Sequence, residues 1–285
     1  MSALAGCFWT DGMPLPEVPA SPLPPRADVV VIGSGYTGLA AARETALAGR
    51  STLVVDSGPI GGGCSSRNGG QVAFSFKPSH PTLVARHGRA AADAIYREGI
   101  EAVDELRRLA NEAGVDCGWR DAGCVVAAHT PRHFRALVEE AEGQPPAFRA
   151  RYEVVPRSRL SEAVDSPLYH GAVVYPDDAS VHPQKLVMAL YKRAAAAGAE
   201  FRSHCEVIGL ARGADGWDVA TRLGTVRARR VLVATNGYTG PFSPWHQRRG
   251  SGATPGLDPT ARWPRLACQR PLAHSTIPLP ATLTR

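Results

Sequence analysis

The chain contains no apolar run long enough to cross a membrane, so a membrane-spanning role is not expected. Its first residues show no basic segment followed by an apolar core, so no secretory signal peptide is expected. The six cysteines, Cys7, Cys64, Cys117, Cys124, Cys205 and Cys268, form no C-x-x-C pair. That spacing argues against a zinc site and against a disulfide frame, and it fits the scattered thiols of a cytoplasmic protein. No catalytic triad and no pair of carboxylates at catalytic spacing can be recognised. Acid is scarce in the tail: from Pro241 onward six arginines face Asp258 alone. The net charge of +6 therefore sits mainly in this tail and the body is nearly neutral. A basic binding face is not implied, and neither a nucleic acid nor a membrane is expected as a partner.

What is present suits a soluble globular chain. Its 285 residues, 44% hydrophobic and 20% charged, can bury a large core in one or two domains. The organising stretch is Ala27–Asp56. Val29-Val30-Val31-Ile32 is a continuous apolar run, as in a strand buried on both faces. Gly33-Ser34-Gly35-Tyr36-Thr37-Gly38 follows as G-x-G-x-x-G. Leu39–Ala48 is rich in helix formers, and Gly49 stands where a helix would be capped. Thr52–Val55 is a second buried-strand pattern, ending at Asp56.

Each of these parts has a physical role in dinucleotide binding. Gly33 permits the tight turn, Gly35 lets a pyrophosphate approach the backbone, and Gly38 lets the helix pack on the sheet. The helix start offers free N–H groups and a positive dipole end to phosphate. Asp56 lies 18 residues beyond Gly38, near the usual spacing for a carboxylate that binds ribose hydroxyls. Its charge disfavours a 2′-phosphate, and hence NADP.

Ser57-Gly58-Pro59 is a loop, followed by Ile60–Val72, IGGGCSSRNGGQV. Taken alone, this glycine-rich segment also suits a mobile surface loop. Directly after a dinucleotide fingerprint it reads as a second wall of the cofactor site, with Ser65, Ser66 and Asn68 as hydrogen-bonding groups and Arg67 as a cation.

The fingerprint together with RNGGQ resembles the FAD-dependent D-amino-acid oxidase superfamily (DAO, glycine-oxidase-like), with γ-glutamylputrescine-oxidase-like enzymes as the nearest branch. Their loop reads G-x-G-A-S-G-R-N-G-G-Q. Gly61, Gly63, Ser65, Arg67, Asn68, Gly69, Gly70 and Gln71 match it, while Cys64 stands for Ala and Ser66 for Gly. A later stretch, Val233-Ala234-Thr235-Asn236-Gly237-Tyr238, matches the family's strand-to-turn signature.

The resemblance implies noncovalent FAD as cofactor. It places the loop around the pyrophosphate and beneath the flavin ring, the backbone at Val207 against adenine, and the turn at Thr235, Asn236 and Gly237 near the cofactor. The implied reaction is oxidation of a small-molecule amine or amino acid. Hydride passes from the carbon beside nitrogen to flavin N5, the imine hydrolyses, and dioxygen as acceptor becomes peroxide. The cofactor carries this chemistry, which accounts for the missing triad, and no catalytic residue is assigned. Two alternatives stand beside it. One is a flavin-binding fragment without turnover. The other is an NAD-dependent dehydrogenase, which Asp56 permits but RNGGQ and ATNGY disfavour.

The expected fold is α/β: a mainly parallel FAD-binding Rossmann-type sheet with an inserted α+β substrate domain. Residues 1–26 are proline-rich, an arm that either lies on the surface through Phe8 and Trp9 or stays free as a leader. Residues 27–82 are the first part of the FAD domain, 83–176 the insertion, 177–247 the second part, and 248–285 an irregular Pro/Arg-rich tail. Helices are expected at Ala90–Ala113 (capped by Gly114), Arg132–Glu142, Ser158–Val164 (begun by Ser158) and Pro183–Ala197 (closed by Gly198). Strands are expected within Gly123–Ala128 and at Arg151–Val155, Gly171–Tyr175, Glu200–Leu210 and Arg230–Val233. Trp217–Thr221 and Thr225–Ala228 suggest a hairpin. Asp177, Asp178 and His182 suggest a metal by type, but the stretch reads better as a turn into a helix with Pro183 in its first turn. The resemblance covers about Phe8–Gln247 and stops after Arg249. Family members run well over a hundred residues further, so a chain of this content is expected to be a poor catalyst.

Overall fold

The computed structural model describes residues 7–11, 13–16, 18, 21–74, 78–112, 115–148 and 151–249. The tail after Arg249 and the expected cap at Gly114 lie outside them. In chain order the strands are β1 (Arg26–Ile32), β2 (Thr52–Val55), β3 (Gln71–Val72), β4 (Cys124–Ala127), β5 (Glu153–Pro156), β6 (Gly171–Tyr175), β7 (Ala179–Ser180), β8 (Glu200–Arg202), β9 (Val207–Gly213), β10 (Gly216–Thr221) and β11 (Gly224–Val233). The helices are α1 (Tyr36–Leu47), α2 (His80–His87), α3 (Arg89–Ala110), α4 (Pro131–Glu142), α5 (Pro183–Ala196) and α6 (Pro244–Arg249).

The chain folds into two compact units, divided at Gly69/Gly70 and Val181/His182. The sequence reading puts its boundaries at 82/83 and 176/177, thirteen and five residues away. The first unit is a mixed α/β layer. Its sheet runs β8-β2-β1-β11-β10-β9, parallel from β8 to β11 and antiparallel at β10 and β9. Alternation along β1 explains the layering. Val29 and Val31 face α1 and α5, joining Leu39, Ala42, Val54, Val187 and Phe201 in one core. Val30 and Ile32 point the other way, into a core with Leu53, Val55, Val207, Val219 and Val226. Leu39 is fully buried, worth about 1.5–3 kcal/mol of hydrophobic stabilisation.

The arm lies along this unit. Trp9 meets His182 edge-on at 5.0 Å, Gln184 Nε2 donates to the Pro14 carbonyl at 3.4 Å, and Arg202 donates to the Pro22 carbonyl at 2.7 Å. Of the two anchors expected, Trp9 is one and Phe8 is not, being 72% exposed.

The second unit holds the antiparallel sheet β4-β6-β5, the short pair β3-β7 and the helices α2, α3 and α4. The pair α2–α3 closes over Leu83, Ala92 and Tyr96, with Phe74 and Phe148 packed against them. His80 Nε2 and Asp93 Oδ1 tie the two helices at 2.7 Å. The candidate metal ligands have structural roles: Asp177 pairs with Arg151, whose Nε donates to it at 2.7 Å, and His182 Nδ1 accepts the Lys185 N–H at the start of α5.

Three sequence expectations need correction, and one helix has no sequence counterpart. Glu200–Leu210 is not one strand. It divides into β8 and β9, at opposite edges of the sheet, because the backbone turns at His204, φ 52°. The segments Thr225–Ala228 and Arg230–Val233, expected apart, are a single strand, β11. Ser158 does not begin a helix; a 3-10 turn starts at Arg157 without a side-chain cap. Helix α2 has no counterpart in the sequence reading. It is a single eight-residue segment with Pro81 near its start, too short to show periodicity.

Candidate functional site

The first unit contains a cleft of about 790 Å³ at the carboxyl ends of β1, β2 and β11. This is where open α/β sheets place their ligands. Gly33 turns the chain out of β1 at φ +100°, and a Cβ there would lie 2.7 Å from the Ala234 carbonyl oxygen. A Cβ on Gly38 would lie 1.9 Å from the Gly33 oxygen, so only glycine lets α1 sit this close to the strand. The first helical bond of α1 runs from the Leu39 N–H to the Gly35 carbonyl. The N–H groups before Leu39 therefore have no intrahelical acceptor. Ser65 Oγ already accepts one of them, from Tyr36, at 3.1 Å.

Asp56 organises the floor. Its Oδ2 accepts from the Ser34 N–H (2.8 Å) and the Ser34 hydroxyl (2.5 Å), and its Oδ1 from the Gly58 N–H (3.0 Å). Ser34 is fully buried, and its Oγ in turn accepts from the Gly61 N–H at 2.8 Å. One carboxylate thus locks the fingerprint turn, the β2 exit and the second glycine loop together. A carboxylate has about four acceptor positions. Three are used, leaving one on Oδ1 for a ligand hydroxyl.

Further bonds link Asp56 to the next wall. The Asp56 carbonyl accepts from the Cys205 N–H (2.7 Å), and the Gly58 carbonyl from the His204 N–H (2.9 Å). Val207, Ile208, Glu206 and Arg222 continue this end of the cleft. The other end is built from Gly63, Cys64, Arg67 and Tyr238. Arg67 Nε donates to the Gly63 carbonyl at 3.2 Å. Cys64 Sγ and Tyr238 Oη share a 3.0 Å hydrogen bond. That bond, then burial, then the thiol's charge hold the Tyr238 phenol above its ordinary value, with Arg67 pulling the other way. At neutral pH Tyr238 is therefore a neutral hydrogen-bonding group.

Of the residues singled out from the sequence, Gly33, Ser34, Gly35, Tyr36, Thr37, Asp56, Ser57, Ser65, Arg67, Val207, Thr235 and Asn236 line the cleft. Gly38, Ser66, Asn68, Gly69 and Gly237 do not. Gly38 serves packing. Asn68 Nδ2 braces the loop from behind, donating to the Ser65 carbonyl (3.0 Å) and Tyr36 Oη (3.2 Å). Ser66 is buried and donates to the Gly63 carbonyl. Gly70 and Gln71 belong to the second unit. Sequence reasoning missed Cys64 and Tyr238 as lining groups, and also Glu206, Ile208, Arg222 and Phe242. Tyr238 sits inside the quoted ATNGY turn; Arg222 lies in a hairpin turn, and nothing in its local sequence marks it.

These residues fit a dinucleotide: the helix start takes phosphate, Asp56 keeps one acceptor for a ribose hydroxyl, and glycines keep the wall low. The model of the DAO family, described as FAD dependent oxidoreductase, matches residues 28–263. The match runs past Gln247, where the sequence resemblance is taken to end. The chain is 31% identical to the probable oxidoreductase OrdL of Rhizobium meliloti (strain 1021), over 84% of this chain and 56% of that protein. It is 28% identical to γ-glutamylputrescine oxidoreductase of Escherichia coli (strain K12), over 75% of this chain and 50% of that one. Among solved structures, glycine oxidase from Geobacillus kaustophilus superposes with a TM-score of 0.64 at 24% identity, covering 80% of this chain and 59% of that one. The chain spans about half the length of the curated relatives it matches.

Proposed function

This chain belongs to the DAO family of FAD-dependent oxidoreductases, and we propose that its first unit holds FAD noncovalently in the described cleft and serves oxidation of an amine or amino acid. When bound, FAD would supply the electron-accepting chemistry for oxidation at the carbon next to nitrogen, with hydrolysis of the imine product in water and dioxygen as the acceptor that yields peroxide. The protein's own part is binding and orientation. The start of α1, with Gly35, receives the pyrophosphate. Asp56 offers its remaining Oδ1 acceptor to the adenosine ribose, and the backbone at Val207 meets adenine. Ser65, now on the Tyr36 N–H, lies where it can pass that donor to phosphate or share it. Arg67 and the Thr235–Asn236 turn flank the other end. The second unit is proposed as part of the substrate domain.

The observation that carries this reading is Asp56: one carboxylate fixes three turns of the cleft and still has an acceptor free. The NAD reading, which Asp56 alone permits, has no support beside membership of an FAD-dependent family. A flavin-binding fragment without turnover is the second reading. One experiment separates the two. FAD-loaded protein is mixed anaerobically with a panel of amines and amino acids while flavin absorbance is followed. Saturable bleaching with any of them supports the oxidoreductase; stoichiometric flavin without bleaching supports the binding half.

A further inference from the structure

The N-terminal arm meets the first unit at the start of α5. Trp9, in the 3-10 turn Phe8–Thr10, lies edge-on to His182 at 5.0 Å. His182 caps α5: its Nδ1 accepts the Lys185 N–H, and its carbonyl accepts the Leu186 N–H. Gln184, in the first turn, is fully buried. Its Nε2 donates to the Pro14 carbonyl at 3.4 Å, while its Oε1 is buried without a hydrogen-bond partner. A buried amide is costly unless it is bonded, and the bond that the described residues provide comes from the arm. Val18 then packs on the core that holds Ile60 and Val187.

The same helix start bears on the cofactor cleft. A Cβ on Gly61 would lie 2.2 Å from Val187 Cγ1, so the second glycine loop rests directly on α5. Tyr36 Oη donates to the Pro183 carbonyl at 3.5 Å and accepts from Asn68 Nδ2 at 3.2 Å, and the Tyr36 N–H is held by Ser65 Oγ. Tyr36 and Ser65 line the cleft. A continuous set of contacts thus runs from Trp9 and Pro14, through the start of α5, to the cleft wall.

We propose that the Trp9 ring and the Pro14 carbonyl strap the start of α5 and thereby set the second glycine loop for FAD, so that arm docking and flavin binding support one another. The proposal rests on the reading of the cleft as an FAD site. Neither arm residue lines the cleft, so both are positioning residues that act through His182 and Gln184. Coupling of this kind is reciprocal: a docked arm that tightens FAD is itself tightened by bound FAD, by the same factor.

The test joins hydrogen exchange to titration, on the intact chain. The Thr10, Asp11 and Met13 N–H groups donate to the Cys7, Phe8 and Thr10 carbonyls and report arm docking by their exchange. Excess FAD is expected to slow that exchange about fivefold in the wild-type protein. Titrations of flavin-free protein with FAD, and with AMP, which lacks the flavin half, then compare variants. Trp9→Ala is expected to weaken FAD about fivefold and to leave AMP unchanged. Trp9→Phe keeps a ring against His182 and is expected to restore most of that loss. Gln184→Leu removes the bond to Pro14 and the unpartnered oxygen together. It is expected to melt no lower than wild type and still to lose FAD affinity about threefold. Arm exchange unchanged by FAD, or wild-type FAD affinity in both Trp9→Ala and Gln184→Leu, overturns the strap and leaves the cleft assignment intact. Equal weakening of FAD and AMP in Trp9→Ala, or no rescue by phenylalanine, also overturns it. Failure of the wild-type protein to bind FAD overturns the strap and the cleft assignment together.

Discussion

Asp56 carries more of the site than its place in the sequence suggests. The spacing from Gly38 marks it as a ribose ligand, but the spacing cannot show that its two oxygens already hold Ser34 and Gly58. That information is three-dimensional, because Ser34 and Asp56 meet only when β1 and β2 are paired. Asp56→Ala is therefore expected to do two things. It should weaken FAD through the lost charge-assisted hydrogen bond, about 1.5–3 kcal/mol. It should also lower the melting temperature of the FAD-free protein, because the buried Ser34 donors lose their acceptor, at about 1–3 kcal/mol. A flavin titration alongside a melt without flavin separates the two effects. An unchanged melt would mean that Asp56 does not brace the fingerprint turn.

A second residue-scale expectation concerns Asp178 in the other unit. Burial, and then the charge of Asp177, holds its carboxyl above the ordinary value of 3.8. A raised folded value means that the folded state binds the proton more tightly than the unfolded chain does. The carboxyl is thus least costly below the ordinary value, and its ionisation becomes a burden as pH rises through the raised value. Asp178→Asn is expected to melt slightly higher than wild type at neutral pH, by at most about 2 °C, and to lose that advantage in acid below the ordinary value. Melting curves across pH check this; an advantage that grows toward acid would contradict the sign.

At the scale of elements, the strand–glycine–helix–strand block is legible because its signals are local. Apolar runs, glycines and helix formers each act within a few residues. Two of its glycines, Gly35 and Gly38, have different tasks. Gly38→Ala would drive a Cβ to 1.9 Å from the Gly33 oxygen, a backbone atom that cannot swing away, and is expected to cost about 3 kcal/mol of stability. Gly35→Ala meets the Ser65 hydroxyl at 2.8 Å, which can rotate but then gives up the Tyr36 N–H. Its cost is expected near 1 kcal/mol, with a larger loss in FAD affinity. Urea unfolding of both variants, with and without FAD, checks the ordering. The reading of Glu200–Leu210 as one strand fails for a related reason. Apolar pattern records burial, and β8 and β9 are each apolar enough. Only the edge each strand joins, set by the bonds from His204 and Cys205 to the β2 exit, tells them apart.

For the whole molecule, α/β class and a mainly parallel sheet are legible from the alternation of apolar runs with helical stretches. The division into units is less so, because the chain crosses at Gly69/Gly70 and Val181/His182 within short polar segments that carry no compositional step. The Arg222 end of the cleft is not legible, since Arg222 reaches it only through the β9–β10–β11 meander. FAD binding to the folded state should stabilise the chain by mass action, about 2.7 kcal/mol at a free concentration one hundred times the dissociation constant. The most direct test of the cleft as a flavin dinucleotide site is to load purified protein with FAD, remove free flavin by desalting, and record the visible spectrum and protein concentration. The expected result is about one flavin per wild-type chain, and less than half of that in Asp56→Ala. Wild-type protein that is folded by circular dichroism yet emerges colourless, with no shift in melting temperature under excess FAD, would contradict the assignment.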